Sequence, residues 1–524
     1  MAPTSFASLD PEPSLKPVVV DFVGLASPTP LQEDDQERVN ESPYDSMTVN
    51  RILYTSVALA LLHPMQIGWA VSQLNLSTFH DQDSCNARPV APGTCVMFPG
   101  HSNGEWSWVV NLWIAGAVLG SIGCARLSDR VGRKKALALN AIVIIIGAAI
   151  QASASSLTIY ALGRLVSGVA SGAASALPNS YINEISPPHL RNRLGTLYQI
   201  MVCSFIILVS ASFVFANTST GWRYIGGFPI VLGGLFLLGA PSLLVESPAW
   251  LLEKGRRDEA EQELARLFGE HNVQLALSWL DPHDSSDATA SKIEELLETP
   301  EHGNQAPASP WKTLFSPEYR LQTIIAVVLA FGQQVSGINV AFMYSSSMFK
   351  DAGVQDDRIG SMIVNVVNLM PTLFAGGLGT RFGNRRMILL GHAGMGLSCV
   401  GIIFALSANS PGISIVFTAL YVAAFATSVG PLVYVVITTM FPNALRASGT
   451  SLCLFSNWSG QMIIGIGYPY VSDALGALAF LPFLVMLLCL GLFHYKFLPE
   501  TTGKTTEEVQ EIFRSRRRNK SLTA

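Results

Sequence analysis

The chain has 524 residues, of which 49% are hydrophobic and 13% charged, with a formal net charge of −4. Soluble proteins carry roughly 25% charged residues, so this composition excludes a soluble globular chain, and no nucleic-acid partner is expected. Apolar segments of about 20 residues recur, each long enough to cross a hydrocarbon core of about 30 Å as a helix, which predicts an all-α membrane protein.

Residues 1–50 are polar, Pro-rich and acidic (LQEDDQERVNES), without the basic start or short apolar core of a cleaved signal peptide, and read as a disordered N-terminal segment. Within residues 51–245, six spans start near Arg51, Glu105, Ala136, Leu157, Gly195 and Ile225. Residues 246–320 are the one sizeable soluble stretch. There WLLEKGRRDEAEQELARLF places Leu252, Ala260, Leu264 and Leu267 near helical spacing, which predicts short amphipathic helices under the bundle, and NQAPASP reads as a flexible linker. Six further spans within 321–497 start near Leu321, Arg358, Met387, Gly412, Ala447 and Ala474, and residues 498–524 form a tail ending in the basic RSRRRNK. That patch suits anionic lipid or the positive-inside bias.

Twelve spans with both termini inside put about 28 of the 33 basic residues in cytoplasmic loops, with only Arg88, Arg223, Lys350 and Arg358 outside and Arg164 within a span. The opposite orientation inverts that ratio. Of the seven Cys, only Cys85 and Cys95 share an outside loop, where either a disulfide or two free thiols is allowed. The sequons at Asn75 and Asn217 fall outside, Asn75 close to the bilayer, whereas Asn457-Trp-Ser459 lies inside a span and is not a glycosylation site.

The chain repeats itself. DRVGRKK at Asp129–Lys135 is echoed by TRFGNRR at Thr380–Arg386, NEISPPHLR by TTMFPNALR, the Gly-Thr pair at Gly195 by that at Gly449, and ESP at Glu246 by PET around Glu500, all at offsets of about 251 to 255 residues. Two six-helix halves related by duplication are the expected organisation.

Polar residues inside the spans form stripes rather than scatter. Thr196, Gln199, Cys203 and Ser210 follow helical spacing in the fifth span, Ser361, Asn365, Asn368 and Thr372 in the eighth, and Asn457 and Gln461 are four apart in the eleventh. In the seventh, GQQVSGIN carries Gln333, Gln334 and Asn339. On an unbroken helix Gln334 and Asn339 point about 140° apart, so both face one cavity only if the helix breaks, for which Ser336-Gly337 is the natural place. Uncharged amides and hydroxyls beside Trp458 and Phe342 suit a neutral polyol, since its hydroxyls donate and accept while its C–H face stacks on a ring.

Taken in order, DRVGRKK, Gly163-Arg164, YINEISP at Tyr181–Pro187, GTLYQ ending at Gln199, Glu246-Ser-Pro, QQVSGIN at Gln333–Asn339, GPLVY at Gly430–Tyr434, FSNW at Phe455–Trp458 and PETTGKT from Pro499 resemble the signatures of the sugar porter family of the major facilitator superfamily, close to the facilitative glucose (hexose) transporters. The resemblance runs from about Arg51 to Ile512. It implies two bundles rocking around a central hexose site, and positions matching the sugar contacts at Gln199, Gln333, Gln334, Asn339, Asn368, Tyr434, Asn457, Trp458 and Gln461. Where glucose transporters usually have Trp this chain has Tyr434, and where many have Asn it has Gln461. Met343 stands for a Tyr after Phe342, so Phe342-Met343-Tyr344 is expected to be a looser outer lid, and glucose and fructose both stay open as substrates.

The resemblance also bears on coupling and gating. Proton-coupled relatives carry Asp in the first span opposite the fourth-span Arg; here MQIGWAVSQLN puts Ala70 there, so Arg164 lacks a titratable partner and uniport is expected, with a proton symporter or a non-transporting sensor as alternatives. Asp129, Arg130, Arg133, Glu184, Arg191, Arg193, Glu246, Arg381, Arg385, Arg446 and Glu500 are expected to form inner ion pairs that close the cytoplasmic gate. The second half has Thr380 and Thr439 where the family has carboxylates and Asn384 where it has Arg, which predicts a weaker gate there. No catalytic residue, metal ligand set or cofactor is expected, and the plasma membrane is the expected location.

Overall fold

The computed structural model describes residues 47–76, 79, 95–216, 218–280, 310–345, 357–504 and 506–522. The chain divides into two units, Met1–Met47 and Thr48–Ala524, and every described helix lies in the second. Among the described residues every regular element is a helix.

Among the described residues nine helices are long and apolar enough to cross a membrane, among them Arg133–Ser153, Pro188–Ala216, Arg320–Met343 and Asn384–Ser407. Ser448–Leu478 and Leu481–Phe497 pass the same test only together, across a 100° bend. The first predicted span appears as two helices, Arg51–Ala60 and Leu62–Ser72, interrupted at Leu61, so neither piece has the length of a span. Among the described residues this gives nine crossings, or ten with the bent pair taken as one, and the twelve expected from the sequence are not all reached by this test because breaks divide some apolar runs. Large apolar side chains point outward along these helices, with Leu238 81%, Phe215 74% and Leu397 72% exposed, a belt that only hydrocarbon can cover.

Two apolar cores form inside. One gathers Trp69, Trp106, Trp113, Tyr160, Phe213 and Trp222, and also takes in Met343 and Trp458 from the second half of the chain. The other is built from residues such as Ile325, Leu329, Phe342, Tyr421, Val433, Phe441 and Phe483. Between the helices Asn103–Val131 and Leu157–Ala174 there is no room for side chains: a Cβ on Gly168 would lie 2.0 Å from the Trp113 carbonyl oxygen, and one on Gly120 2.0 Å from that of Val169. Gly116-xxx-Gly120 meets Gly168-xxx-Gly172, the small-residue spacing that lets membrane helices touch backbone to backbone.

The segment after residue 245 folds into Pro248–Glu253, Arg257–Phe268 and Val273–Leu280. Ala260, Leu264 and Leu267 are buried on one face as their spacing predicts, while Leu252 belongs to the preceding helix and is only partly buried. The NQAPASP linker lies outside the described residues. The final helix, Thr506–Leu522, buries Val509 and Phe513, and its Gln510 donates to the Met440 carbonyl at 2.7 Å while Arg516 donates to that of Phe497 at 2.6 Å.

Candidate functional site

The seventh apolar run breaks at the predicted place. The helix Arg320–Val335 ends, Gly337 turns with φ +92° and Ile338–Met343 resumes. That backbone region favours glycine, and a Cβ there would also sit 2.7 Å from the Phe483 ring. The Ser336 carbonyl freed by the break accepts from the buried Tyr421 hydroxyl, as a backbone group inside a membrane requires.

The break lets one chain of amides form. Asn339 Nδ2 donates to Gln334 Oε1, Gln334 Nε2 to Asn457 Oδ1 at 2.8 Å, and Asn457 Nδ2 to Gln333 Oε1 at 2.8 Å and the Ala330 carbonyl at 2.9 Å. Gln333 Nε2 then spends both hydrogens on the carbonyls of Val429 and Gly430, at 3.0 and 2.9 Å. Gln333, Gln334, Asn339 and Asn457 therefore satisfy one another first. Gln461, one turn beyond Asn457, is 3% exposed and its Nε2 is without a partner. Trp458 donates to Ser175 Oγ at 3.3 Å and meets Trp113 edge-on at 5.5 Å.

The polar stripes of the fifth and eighth spans face each other. Gln199 Nε2 and Asn368 Nδ2 both donate to the Cys203 sulfur, at 3.5 and 3.3 Å, and Asn365 Nδ2 donates to Ser210 Oγ at 2.7 Å. Thr196, at the end of the same stripe, is exposed. Tyr434 is half-buried against the second core and makes no hydrogen bond to this set. The predicted site residues thus fall into an amide chain, a thiol-centred pair and the separate side chains Trp458, Gln461 and Tyr434.

One end of the assembly is latched. Ser72 Oγ donates to the Phe342 carbonyl at 2.8 Å, Asn75 Nδ2 to Ser345 Oγ at 2.9 Å, and Ser345 Oγ to Ser361 Oγ at 3.0 Å. The Gly465 carbonyl accepts from both Tyr344 and Asn111, each at 3.0 Å. Met343 is packed in the tryptophan-rich core, so the expected loose lid is filled in this conformation. Asn75 is 3% exposed, which closes this sequon to a glycan in this conformation; Asn217 lies outside the described residues. Cys95 is disulfide-bonded, and Cys85 lies outside the described residues.

Arg164 is 1% exposed and has no carboxylate partner among the described residues. It donates to the Ala70 carbonyl at 3.0 Å and that of Val110 at 3.4 Å, its Nε bonds nothing, and its guanidinium lies 5.3 Å from the Trp113 ring centre. His63 is packed against Phe236, with Asn140 on its Nδ1 at 3.0 Å.

At the Arg133 end, Arg133 binds Glu184 through two nitrogens, at 2.9 and 3.0 Å, and Asp129 at 3.1 Å. The other expected pairs differ. Glu246 accepts from the backbone N–H groups of Arg133, Lys134 and Ser247, because a helix start offers unpaired donors closer than any guanidinium. Glu500 likewise takes the backbone of Arg385, Thr501 and Thr502. Arg385 donates to the Tyr495 carbonyl and Arg446 to that of Thr438, and Arg191 has Arg446 as a like-charged neighbour. Arg130, Arg193 and Arg381 are exposed and form no ion pair among the described residues. Thr380 and Thr439 spend their hydroxyls on their own helices. Sequence reasoning missed Ser72, Ser175, Asn111, Gly465 and Ser345, whose partners lie 270 to 354 positions away and leave no local signal.

Residues 56–513 match the family model described as sugar (and other) transporter. The facilitated glucose transporter member 4 of Mus musculus is 31% identical over 490 residues, covering 90% of this chain and 92% of that protein. The plastidic glucose transporter 4 of Arabidopsis thaliana is 30% identical over 410 residues, covering 77% and 72%. The inward-open xylose transporter XylE from E. coli, also solved as a proton:xylose symporter of the major facilitator superfamily, superposes with a TM-score of 0.69 at 23% identity over 88% of this chain and 99% of that one, and so shares its fold.

Proposed function

This chain belongs to the sugar transporter family, and on that premise we propose that it is a facilitative uniporter for hexoses, glucose first and fructose second, working by alternating access to one central site. The observation that carries the uniport reading is the pairing of Arg164 with the Ala70 carbonyl. Coupling to protons at this place needs a side chain that gains and loses one, and a methyl group does neither. Arg164 keeps its charge throughout and acts as a fixed pin between helices.

The hexose site in this reading comprises Gln199, Gln333, Gln334, Asn339, Asn368, Tyr434, Asn457, Trp458 and Gln461. A sugar hydroxyl both donates and accepts, which suits amides that can trade a neighbour for a ligand without leaving a polar group bare. Alternation follows from the two ends of the molecule. The Ser72, Asn75 and Ser345 contacts and the lid Phe342-Met343-Tyr344 close one end here, and in the opposite state the other end closes as the second bundle approaches the cluster of Asp129, Arg133 and Glu184.

The same reading takes residues 51–245 and 321–497 as two moving bundles, both termini as cytoplasmic, and the plasma membrane as the location. The basic RSRRRNK stretch of the last helix is taken to attract anionic lipid. The experiment is uptake of labelled glucose and fructose into proteoliposomes with and without an imposed pH gradient. Saturable uptake indifferent to the gradient supports the proposal, uptake driven by the gradient replaces it with symport, and sugar binding without uptake replaces it with a sensor.

A further inference from the structure

We propose that Cys203 is a positioning residue that decides which end of the Gln199 and Asn368 amides faces the sugar, and so makes this corner of the site select hydroxyls that donate over groups that only accept. The inference rests on the hexose-transport reading and deepens it.

Cys203 is fully buried, one turn after Gln199 on the helix Pro188–Ala216. Its sulfur receives Gln199 Nε2 from its own helix at 3.5 Å and Asn368 Nδ2 from the helix Asp357–Phe382 at 3.3 Å. A primary amide has two unlike ends, an NH2 that donates and a carbonyl oxygen that accepts. With both nitrogens turned to one sulfur, both oxygens are turned away from it, and neither accepts a hydrogen bond from a described residue. Thr372 Oγ1, which donates to the Asn368 backbone carbonyl at 2.7 Å, also lies against the Cys203 sulfur. The thiol is a weak acceptor, so it orients these amides without tying them up as the carbonyls of Val429 and Gly430 tie Gln333.

The consequence is chemical. Two carbonyl oxygens with no hydrogen beside them offer a ligand nothing but acceptors. A sugar hydroxyl satisfies them by donating; a fluorine at the same carbon cannot, and is rejected as a missing hydroxyl is. Sites built to bond a hydroxyl discriminate against its loss because their own groups are left bare. Replacing the thiol by an isopropyl group removes the acceptor, and each amide is then free to turn its NH2 toward the ligand.

The test is competition of monodeoxy and monofluoro glucose analogues, one ring position at a time, against labelled glucose uptake in the full-length protein. In the wild type, at one or more positions the deoxy and fluoro analogues should both bind about tenfold worse than glucose. In Cys203→Val the fluoro analogue should recover to within about threefold of glucose while the deoxy analogue does not. Cys203→Ser, whose hydroxyl accepts, should keep the wild-type pattern, and Cys203→Ala serves where the valine variant is not monodisperse. A profile unchanged in Cys203→Val or Cys203→Ala, or a wild type in which fluoro and deoxy analogues never fall together, overturns the proposal. Failure of the wild type to take up or bind any hexose overturns the transport reading along with it.

Discussion

Glu246 and Glu500 close the same turn in the two parts of the chain. Each carboxylate sits at the start of a helix that follows a glycine with φ near +94°: Glu246 accepts from Arg133 N at 2.8 Å and Lys134 N at 3.0 Å, and Glu500 from Arg385 N at 3.4 Å, where Asn384 N also donates to Thr502 Oγ1 at 2.7 Å. The first N–H groups of a helix have no partner within it, and the partial positive charge there favours an anion. Beyond this turn the two parts diverge. Beside Glu246 stands the ion pair of Arg133 with Glu184, and beside Glu500 stands Asn384, which donates to Thr501 Oγ1 at 3.3 Å.

Stability should fall at low pH through Glu500. Burial pushes its carboxyl up, but the donors of Thr502, Arg385 and Thr501 outweigh that and hold it below the ordinary carboxylate range. A folded-state pKa below the unfolded one gives stability that is present above the unfolded value, near 4.3, and is lost as pH falls through the folded value. Glu500→Gln should therefore melt lower than the wild type at pH 7, by the equivalent of about 1 kcal/mol or less because the group is partly solvated, and the gap should close as the pH falls through the folded value. Thermal unfolding in detergent across that range checks this; equal melting at pH 7 contradicts it.

Placing a carboxylate opposite Arg164 should make transport sensitive to pH. The Ala70→Asp variant adds to the backbone carbonyl partner a side chain that gains and loses a proton. Uptake by the wild type should be flat between pH 5.5 and 8, roughly the range over which the variant should slope. A flat profile for both would remove Ala70 from the coupling argument.

Cutting the amide chain at its centre should cost both stability and sugar affinity. Asn457→Ala leaves Gln333 Oε1 and Gln334 Nε2 without their shared partner in a buried setting, at roughly 1–3 kcal/mol for each bare group. KM for glucose should rise about tenfold or more. Asn457→Asp, which still accepts from Gln334, should lose less stability than alanine; the reverse order would show that the chain is not what holds these helices.

Supplying the missing carboxylate of the second half should move the resting conformation. Thr439 now bonds only its own helix, to Val436 O at 2.8 Å, whereas Glu184 at the corresponding place in the first half binds Arg133. Thr439→Glu should shift the protein toward the state closed at that end, about two- to fivefold in the population ratio for an ion pair worth up to 1 kcal/mol. A paired spin label or fluorophore across that end reads the ratio; an unchanged distance distribution refutes the shift.

What was legible in the sequence was whatever a helix's own period dictates. Gln334 and Asn339, five positions apart, could not share a face unless the helix broke, and it breaks at Gly337. The stripes of the fifth and eighth spans face one another because each lies along one side of its helix. What stayed hidden was which polar group takes which. Nothing local says that Asn457 satisfies two glutamines more than 120 positions away, that Glu246 prefers backbone hydrogens to a guanidinium, or that Gly465 is the acceptor for Asn111. Composition is also blind to breaks such as the one at Leu61, which divides the first predicted span into two shorter helices.

The glycine seam between the helices Asn103–Val131 and Leu157–Ala174 has a mechanical consequence. Ridges of side chains can slip past one another by changing rotamer, but two backbones already in contact have nothing left to deform. That pair is the stiff plate of the molecule, and compliance has to reside elsewhere, at the interruption of Gly337, where no continuous ladder of helical hydrogen bonds resists bending. Load applied by a ligand at the amide chain is therefore delivered to a joint one turn away, while the plate behind it moves without changing shape.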